Sequence, residues 1–169
     1  MDPKIVGYFR SVDRDNSGHI DAEELQAALF NGIGTPFDIK CLTLMIAIFD
    51  RDKSGTISLN EFEQLHKYIT TWQTVFRLHD RDCSGSIDVD EFKQTLKSFN
   101  YRLSPEFVHW LFARIDKQRS NKLGFDKYVY VMICLQLLKM NFQEFNKQKR
   151  GVATMSFEQF LGAGFDVCV

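Results

Sequence analysis

Aspartate, serine and glutamate return in the same order three times along this chain: DRDNSGHIDAEE (13–24), DRDKSGTISLNE (50–61) and DRDCSGSIDVDE (80–91). Each stretch has oxygen-bearing side chains at positions 1, 3, 5, 9 and 12, glycine at 6 and isoleucine at 8. The chemistry open to such a set is to wrap a hard cation. Calcium takes six to eight oxygens at about 2.3–2.6 Å, and a single loop supplies them only if it bends sharply and a bidentate carboxylate closes it. The glycine permits the bend because it adopts positive φ freely. The candidate ligands of loop one are Asp13, Asp15, Ser17, Asp21 and Glu24 with the carbonyl of His19. Those of loop two are Asp50, Asp52, Ser54, Ser58 and Glu61 with the carbonyl of Thr56. Loop three offers Asp80, Asp82, Ser84, Asp88 and Glu91 with the carbonyl of Ser86. Loops one and three each hold four carboxylates, whereas Ser58 leaves loop two with three. Fewer charges predict weaker binding, so loop two ranks last. The expected cofactor is Ca2+, two or three ions per chain, with Mg2+ as a competitor. The His19 ring, at a position where the backbone is the ligand, reads as a bystander.

Two further copies are degenerate. DKQRSNKLGFDK (116–127) keeps Asp116 but has Asn121 at the glycine position and Lys127 in place of the closing glutamate. NKQKRGVATMSF (146–157) keeps Gly151, carries the cation-repelling Lys147, Lys149 and Arg150, and has Glu158 one place too late. Neither is expected to bind metal. Their flanks still mark them as repeats. A large apolar residue stands four places before every loop (Phe9, Ile46, Phe76, Phe112, Phe142), and Leu25, Phe62, Phe92 and Tyr128 follow the first four. This is the inner face of an entering and an exiting helix. Helix, twelve-residue calcium loop and helix make an EF-hand, and the chain has five.

Loop starts at 13, 50, 80, 116 and 146 alternate long and short steps. The 18 residues after Glu61 and the 18 after Lys127 lack proline and glycine, which predicts one long shared helix in each place. The long steps are broken at NGIGTPF (31–37) and FNYRLSP (99–105), where Thr35-Pro36 and Ser104-Pro105 read as helix starts. The expected fold is all-α: eight helices in a single domain spanning 1–169. The motifs lie at about 3–31, 36–69, 70–99, 104–137 and 136–166. Position 8 of paired loops should form short β-bridges, Ile20 with Ile57 and Ile87 with Leu123. The fifth motif, around Ala153, has no partner left in the chain. An uncovered apolar face is a liability, and a second such motif across a two-fold axis removes it. A homodimer or heterodimer through the fifth motif is therefore expected.

The five-motif layout resembles the penta-EF-hand family over essentially the whole chain. The stretches YITTWQTVFRLHDRDCSGSID (68–88) and FNYRLS (99–104) look most like its programmed cell death protein 6 branch, with sorcin, grancalcin and peflin more distant. The resemblance implies partners with proline-rich segments and calcium-dependent recruitment to membranes. It also implies a gating role for Arg102 in the linker after motif three. The chain departs from that branch at loop two, intact here, and at loop five, so the implied working set is loops one, two and three.

Composition agrees with a binding protein. The 169 residues are 44% hydrophobic and include sixteen phenylalanines, enough to bury a core. A net charge of −1 implies no nucleic-acid patch. Cys41, Cys83, Cys134 and Cys168 follow no disulfide or metal spacing, and no signal peptide is evident. The expected location is cytoplasmic, with the nucleus and calcium-dependent membrane recruitment as further sites. The apolar run from Tyr128 to Leu135 is too short to span a bilayer. No nucleophile elbow, phosphate loop or zinc spacing occurs, so no enzyme is expected. The leading expectation is a calcium sensor and adaptor that bares an apolar cleft. Candidates for that cleft are Tyr68, Trp72, Phe76, Phe99, Tyr101 and Phe157, with Phe76 also reading as core packing. The alternatives are a calcium or magnesium buffer and a regulatory subunit of a larger enzyme.

Overall fold

Helix α1 (Pro3–Val12) starts where Asp2 accepts a hydrogen bond from the Lys4 amide at 2.9 Å and Pro3 takes the first turn, where a missing N–H is harmless. It opens the first repeat of the computed structural model, which describes residues 2–29, 31–32, 34–146 and 151–168. The chain divides into two compact units, 1–129 and 130–169.

In the first unit α1 is followed by β1 (His19–Ile20), α2 (Ala22–Ala28), α3 (Ile39–Phe49), β2 (Ile57–Ser58) and α4 (Leu59–His79). Then come α5 (Val89–Ser98), α6 (Pro105–Ile115) and the start of α7 (Phe125–Phe145); with α8 (Phe157–Cys168) there are eight helices among the described residues. The two expected long helices are α4 and α7, 21 residues each. Strands β1 and β2 pair antiparallel with Ile20 opposite Ile57, and an isolated bridge joins Ile87 to Leu123. All four of these side chains are fully buried, so the bridges sit on the core rather than at an open edge.

Ser104 caps α6 as the sequence suggests, accepting from the Phe107 amide with Pro105 in the first turn. The other expected start is displaced. Helix α3 begins three residues later than Thr35-Pro36 suggests, behind Asp38, whose side chain accepts from the Lys40 amide. Thr35 instead accepts from the Asn31 side chain at 2.6 Å, and the Phe37 carbonyl accepts from Gln26 at 2.6 Å. These bonds engage Thr35 and Phe37 outside any helix, and the helix starts after them. Helix α5 ends in a left-handed Asn100 (φ 59°), with the Tyr101 amide returning to the Leu96 carbonyl at 2.8 Å.

Aromatic rings knit the first unit together: Phe9 on Phe62, Phe37 on Phe125, Phe92 on Phe112, and Phe76 on both Phe125 and Tyr128. In the second unit Ser156 and Gln159 cap α8 reciprocally. Its exposed apolar side chains include Leu138, Met140, Phe142, Phe157, Phe160 and Leu161. Among the described residues no helix is long and apolar enough to cross a membrane.

Candidate metal centres

Each intact loop gathers its acids. Asp13, Asp15 and Glu24 bring one carboxylate oxygen apiece within 4.8 Å of one another, and so do Asp50, Asp52, Glu61 and Asp80, Asp82, Glu91. The backbone builds these nests. In loop three the Ser84 amide donates to Asp80 at 2.9 Å and to Asp82 at 3.0 Å, and the Gly85 amide donates to the second Asp80 oxygen at 3.0 Å. The same bonds recur from Ser17 and Gly18 in loop one and from Ser54 and Gly55 in loop two. The position-5 hydroxyl reaches the position-7 carbonyl in all three: Ser17 to His19, Ser54 to Thr56, Ser84 to Ser86. The chain thus brings together five of the six donor groups assigned to each loop.

Position 12 closes each nest from the exiting helix. Glu24, Glu61 and Glu91 accept from the position-2 amides of Arg14, Arg51 and Arg81, each at 2.8 Å. The second oxygen of each accepts from the position-9 amide of Asp21, Ser58 or Asp88. Position 9 is engaged as the helix cap. Asp21 accepts from the Glu23 and Glu24 amides, and Asp88 from those of Asp90 and Glu91. This leaves position 9 to act through water, as it often does in such loops.

The charges are held ready. Asp15 lies below the usual carboxylate range because the Ser17 amide donates to it and the Ser17 hydroxyl lies beside it. The Ser54 and Ser84 hydroxyls and amides do the same for Asp52 and Asp82. Glu61 is lowered chiefly by the Ser58 hydroxyl, 2.6 Å away. Position 9 in loop two therefore stabilises a neighbouring charge instead of adding one. The His19 ring lies across the bridge, 3.4 Å from the Thr56 hydroxyl, away from the acids of its own loop.

Loop four keeps the fold of the loop with fewer acids. Asp116 accepts from the Ser120 and Asn121 amides, and Asn121 takes the left-handed conformation (φ 55°) that glycine has elsewhere. In loop five Gly151 is left-handed at its expected place, while Lys147, Lys149 and Arg150 lie outside the described residues.

The proposed cleft residues divide. Trp72 and Phe76 are buried, so Phe76 takes the core-packing role expected for it and Trp72 is not exposed in this conformation. Trp72 stacks on Phe99 and meets Tyr68 and Tyr128 edge-on. The Thr70 and Thr71 hydroxyls beside it bond back to the His66 and Lys67 carbonyls on the outer side of α4. Tyr68, Phe99 and Tyr101 are half-buried, Arg102 is exposed, and Phe157 is exposed in the second unit. Burial raises the phenols of Tyr68 and Tyr101. One feature escaped the sequence. Between α1, α2 and α4 lies a groove of about 350 Å³ whose walls include Tyr8, Val12, Leu25, Leu29, Phe62 and His66. The Tyr8 and His66 rings stack across it at 5.3 Å. Only the helical period of each residue was visible in the sequence; their meeting depends on how α1 packs on α4.

Known proteins share this arrangement. The EF-hand domain pair matches residues 2–67 and 69–133. A sorcin of Schistosoma japonicum is 50% identical over 161 residues, covering 95% of this chain and 94% of its own. Human peflin is 37% identical over 95% of this chain, which spans 57% of that longer relative. A solved structure of a homologue of programmed cell death 6 protein from Leishmania major superposes with a TM-score of 0.85. It is 32% identical, and the match covers 96% of this chain and 93% of that one. Identity to a sorcin thus exceeds identity to this homologue, so the likeness of 68–88 to the programmed cell death protein 6 branch does not place the chain in it.

Proposed function

The chain belongs to the penta-EF-hand family of calcium-binding proteins, and from that premise we propose that it is a calcium-responsive adaptor. Loops one and three are its principal sites and loop two a weaker one, with Mg2+ competing at rest. The observation that carries this reading is the double engagement of Glu24, Glu61 and Glu91. Each stands in the first turn of an exiting helix and reaches back to the second residue of its own loop. Bound calcium supplies a divalent charge at the centre of each nest. Any adjustment of the closing glutamate toward that charge is transmitted to α2, α4 or α5, because the carboxylate is fixed to the helix start.

Helix α4 links loop two to loop three and carries Trp72 against Phe99 at the end of α5, with Tyr68 edge-on to Trp72. A change in the angle of α5 unstacks Phe99 from Trp72 and uncovers an aromatic surface next to Tyr101 and Arg102. Flat apolar surfaces of this kind suit proline-rich segments, which are preformed for docking. We assign dimerisation, with a second copy or a related chain, to the fifth motif, supported by the exposed apolar side chains of α8. Recruitment to membranes or scaffolds from the cytoplasm or nucleus completes the proposal; nucleic acid and catalysis have no part in it.

The test is a calcium titration, in magnesium, of Trp fluorescence and apolar-dye binding, on wild type and on Glu24→Ala and Glu91→Ala. The adaptor reading expects a calcium-dependent rise in both signals that either substitution abolishes. Calcium binding without any optical change would make the protein a buffer.

A further inference from the structure

Position 11 of a calcium loop is not a ligand, yet in loop four it holds Asp126, a residue only 2% exposed. It faces the linker between α2 and α3. Its Oδ2 accepts from the Asp38 amide at 2.9 Å and from the Asn31 side chain at 3.3 Å, and its Oδ1 from its neighbour Lys127 at 2.8 Å. Asn31 is fully buried, and its carbonyl accepts from the amide of Phe125, the first residue of α7, at 2.9 Å. The linker is thereby clasped to the end of loop four at three points.

The next residue of the linker touches loop three. A methyl group on Gly32 would stand 2.6 Å from the Gly85 carbonyl oxygen, and one on Gly85 would stand 3.0 Å from the Gly32 carbonyl oxygen. Both residues are left-handed, at φ 86° and 75°. Gly85 is position 6 of loop three and donates to Asp80, and the next carbonyl, that of Ser86, is a ligand. Loops one and two lack this cover: nothing lies within 4 Å of where a methyl group would stand on Gly18 or Gly55. Ser86 is buried, while its counterparts His19 and Thr56 are not.

We infer that Asn31, Gly32 and Asp126 are positioning residues that couple the occupancy of loop three to motifs one and two. The Ser86 carbonyl must be oriented when loop three fills, and the Gly85 carbonyl just before it presses on a linker that begins at the exit of motif one and ends at the entry of motif two. Asp126 gives the linker a fixed purchase, so that displacement at Gly85 passes into α2 and α3 instead of being absorbed. Loop four, which has lost the closing glutamate, serves as the anvil for this contact.

The inference rests on the calcium reading above, and the test separates the two. The amides of Gly18 and Gly85 each donate to the first aspartate of their own loop, so their NMR shifts report the filling of loops one and three separately. In wild type, Glu91→Gln should move the Gly18 midpoint to higher calcium by about fivefold or more, the low end of ordinary site–site coupling. In the Asp126→Ala background the same substitution should leave it within about twofold, and Gly32→Ala, which lifts the linker off Gly85, should do likewise. An equal shift in all three backgrounds overturns the coupling while leaving calcium binding intact. If calcium moves neither glycine amide in wild type, the calcium reading fails and the coupling with it. A calcium-free readout stands beside these. Asp126→Ala should speed hydrogen exchange at the Asp38 and Phe125 amides and spare Ile20 and Ile57; unchanged exchange at Asp38 shows that the carboxylate is not the clasp.

Discussion

Loops three and four lie side by side, joined by paired amide bonds of 2.8 and 2.9 Å between Ile87 and Leu123, and they put their last two positions to different uses. Loop three ends Asp90-Glu91: Glu91 turns inward to the Arg81 amide, while Asp90 stays at the surface in an ion pair with Lys93 at 3.0 Å. Loop four ends Asp126-Lys127: no carboxylate closes the loop, and the acid at position 11 is buried against the linker. Both loops nevertheless wrap around the aspartate at position 1 with a left-handed residue at position 6. The shape of the loop therefore depends on its first half, and its capacity to close on a cation on its last residue. Once that capacity is gone, the neighbouring acid is free to serve the fold.

The largest expected effect breaks the comparison at position 12. Glu91 makes two charge-assisted bonds to loop amides. Glu91→Gln removes the charged, bidentate carboxylate that closes the loop, and should weaken calcium at loop three by roughly a hundredfold or more. Calorimetry should then show one tight site fewer. Unchanged stoichiometry would mean that loop three is not a site.

The next effect lies at position 11 and reverses between the loops. Asp126→Ala strips the half-buried Asp38 amide of its acceptor and costs the Asn31 side chain one of its partners, a loss of about 1–3 kcal/mol in the calcium-free protein. Asp90→Ala removes only a solvent-screened surface ion pair and should leave stability nearly unchanged. Urea midpoints of the two variants should differ accordingly, and similar midpoints would show that Asp126 is no anchor.

Much of this architecture was legible because it repeats locally. Position 8 named the bridges at Ile20, Ile57, Ile87 and Leu123, and the absence of proline and glycine named α4 and α7. What escaped was set by distant partners. The start of α3 moved from Thr35-Pro36 to Asp38 because Asp126, 88 residues away, holds the Asp38 amide. No local pattern distinguishes Asp126 from the surface aspartate at Asp90. Trp72 looked accessible beside Thr70 and Thr71, but those hydroxyls satisfy backbone carbonyls on the outer face of α4 while the indole turns to the core.

The smallest effect concerns the residue just past each loop, where Phe92 and Tyr128 are both fully buried. They differ by one hydroxyl, and that hydroxyl has no hydrogen-bond partner. The nearby Thr95 hydroxyl gives its own proton to the Glu91 carbonyl at 3.0 Å. Burial pushes the Tyr128 phenol up to about 12, against a weaker downward pull from Thr95. Because the folded value is raised, this group leaves stability level below pH 10 and erodes it between pH 10 and about 12, as the unfolded phenol ionises first. Tyr128→Phe should abolish that alkaline loss and raise stability at neutral pH by about 1 kcal/mol, since removing a buried, unpaired polar group relieves its desolvation. A urea midpoint that fell instead would give the hydroxyl a partner. Thr95 is the residue placed to be that partner, which would tie the helix start at Glu91 directly to the exit of loop four.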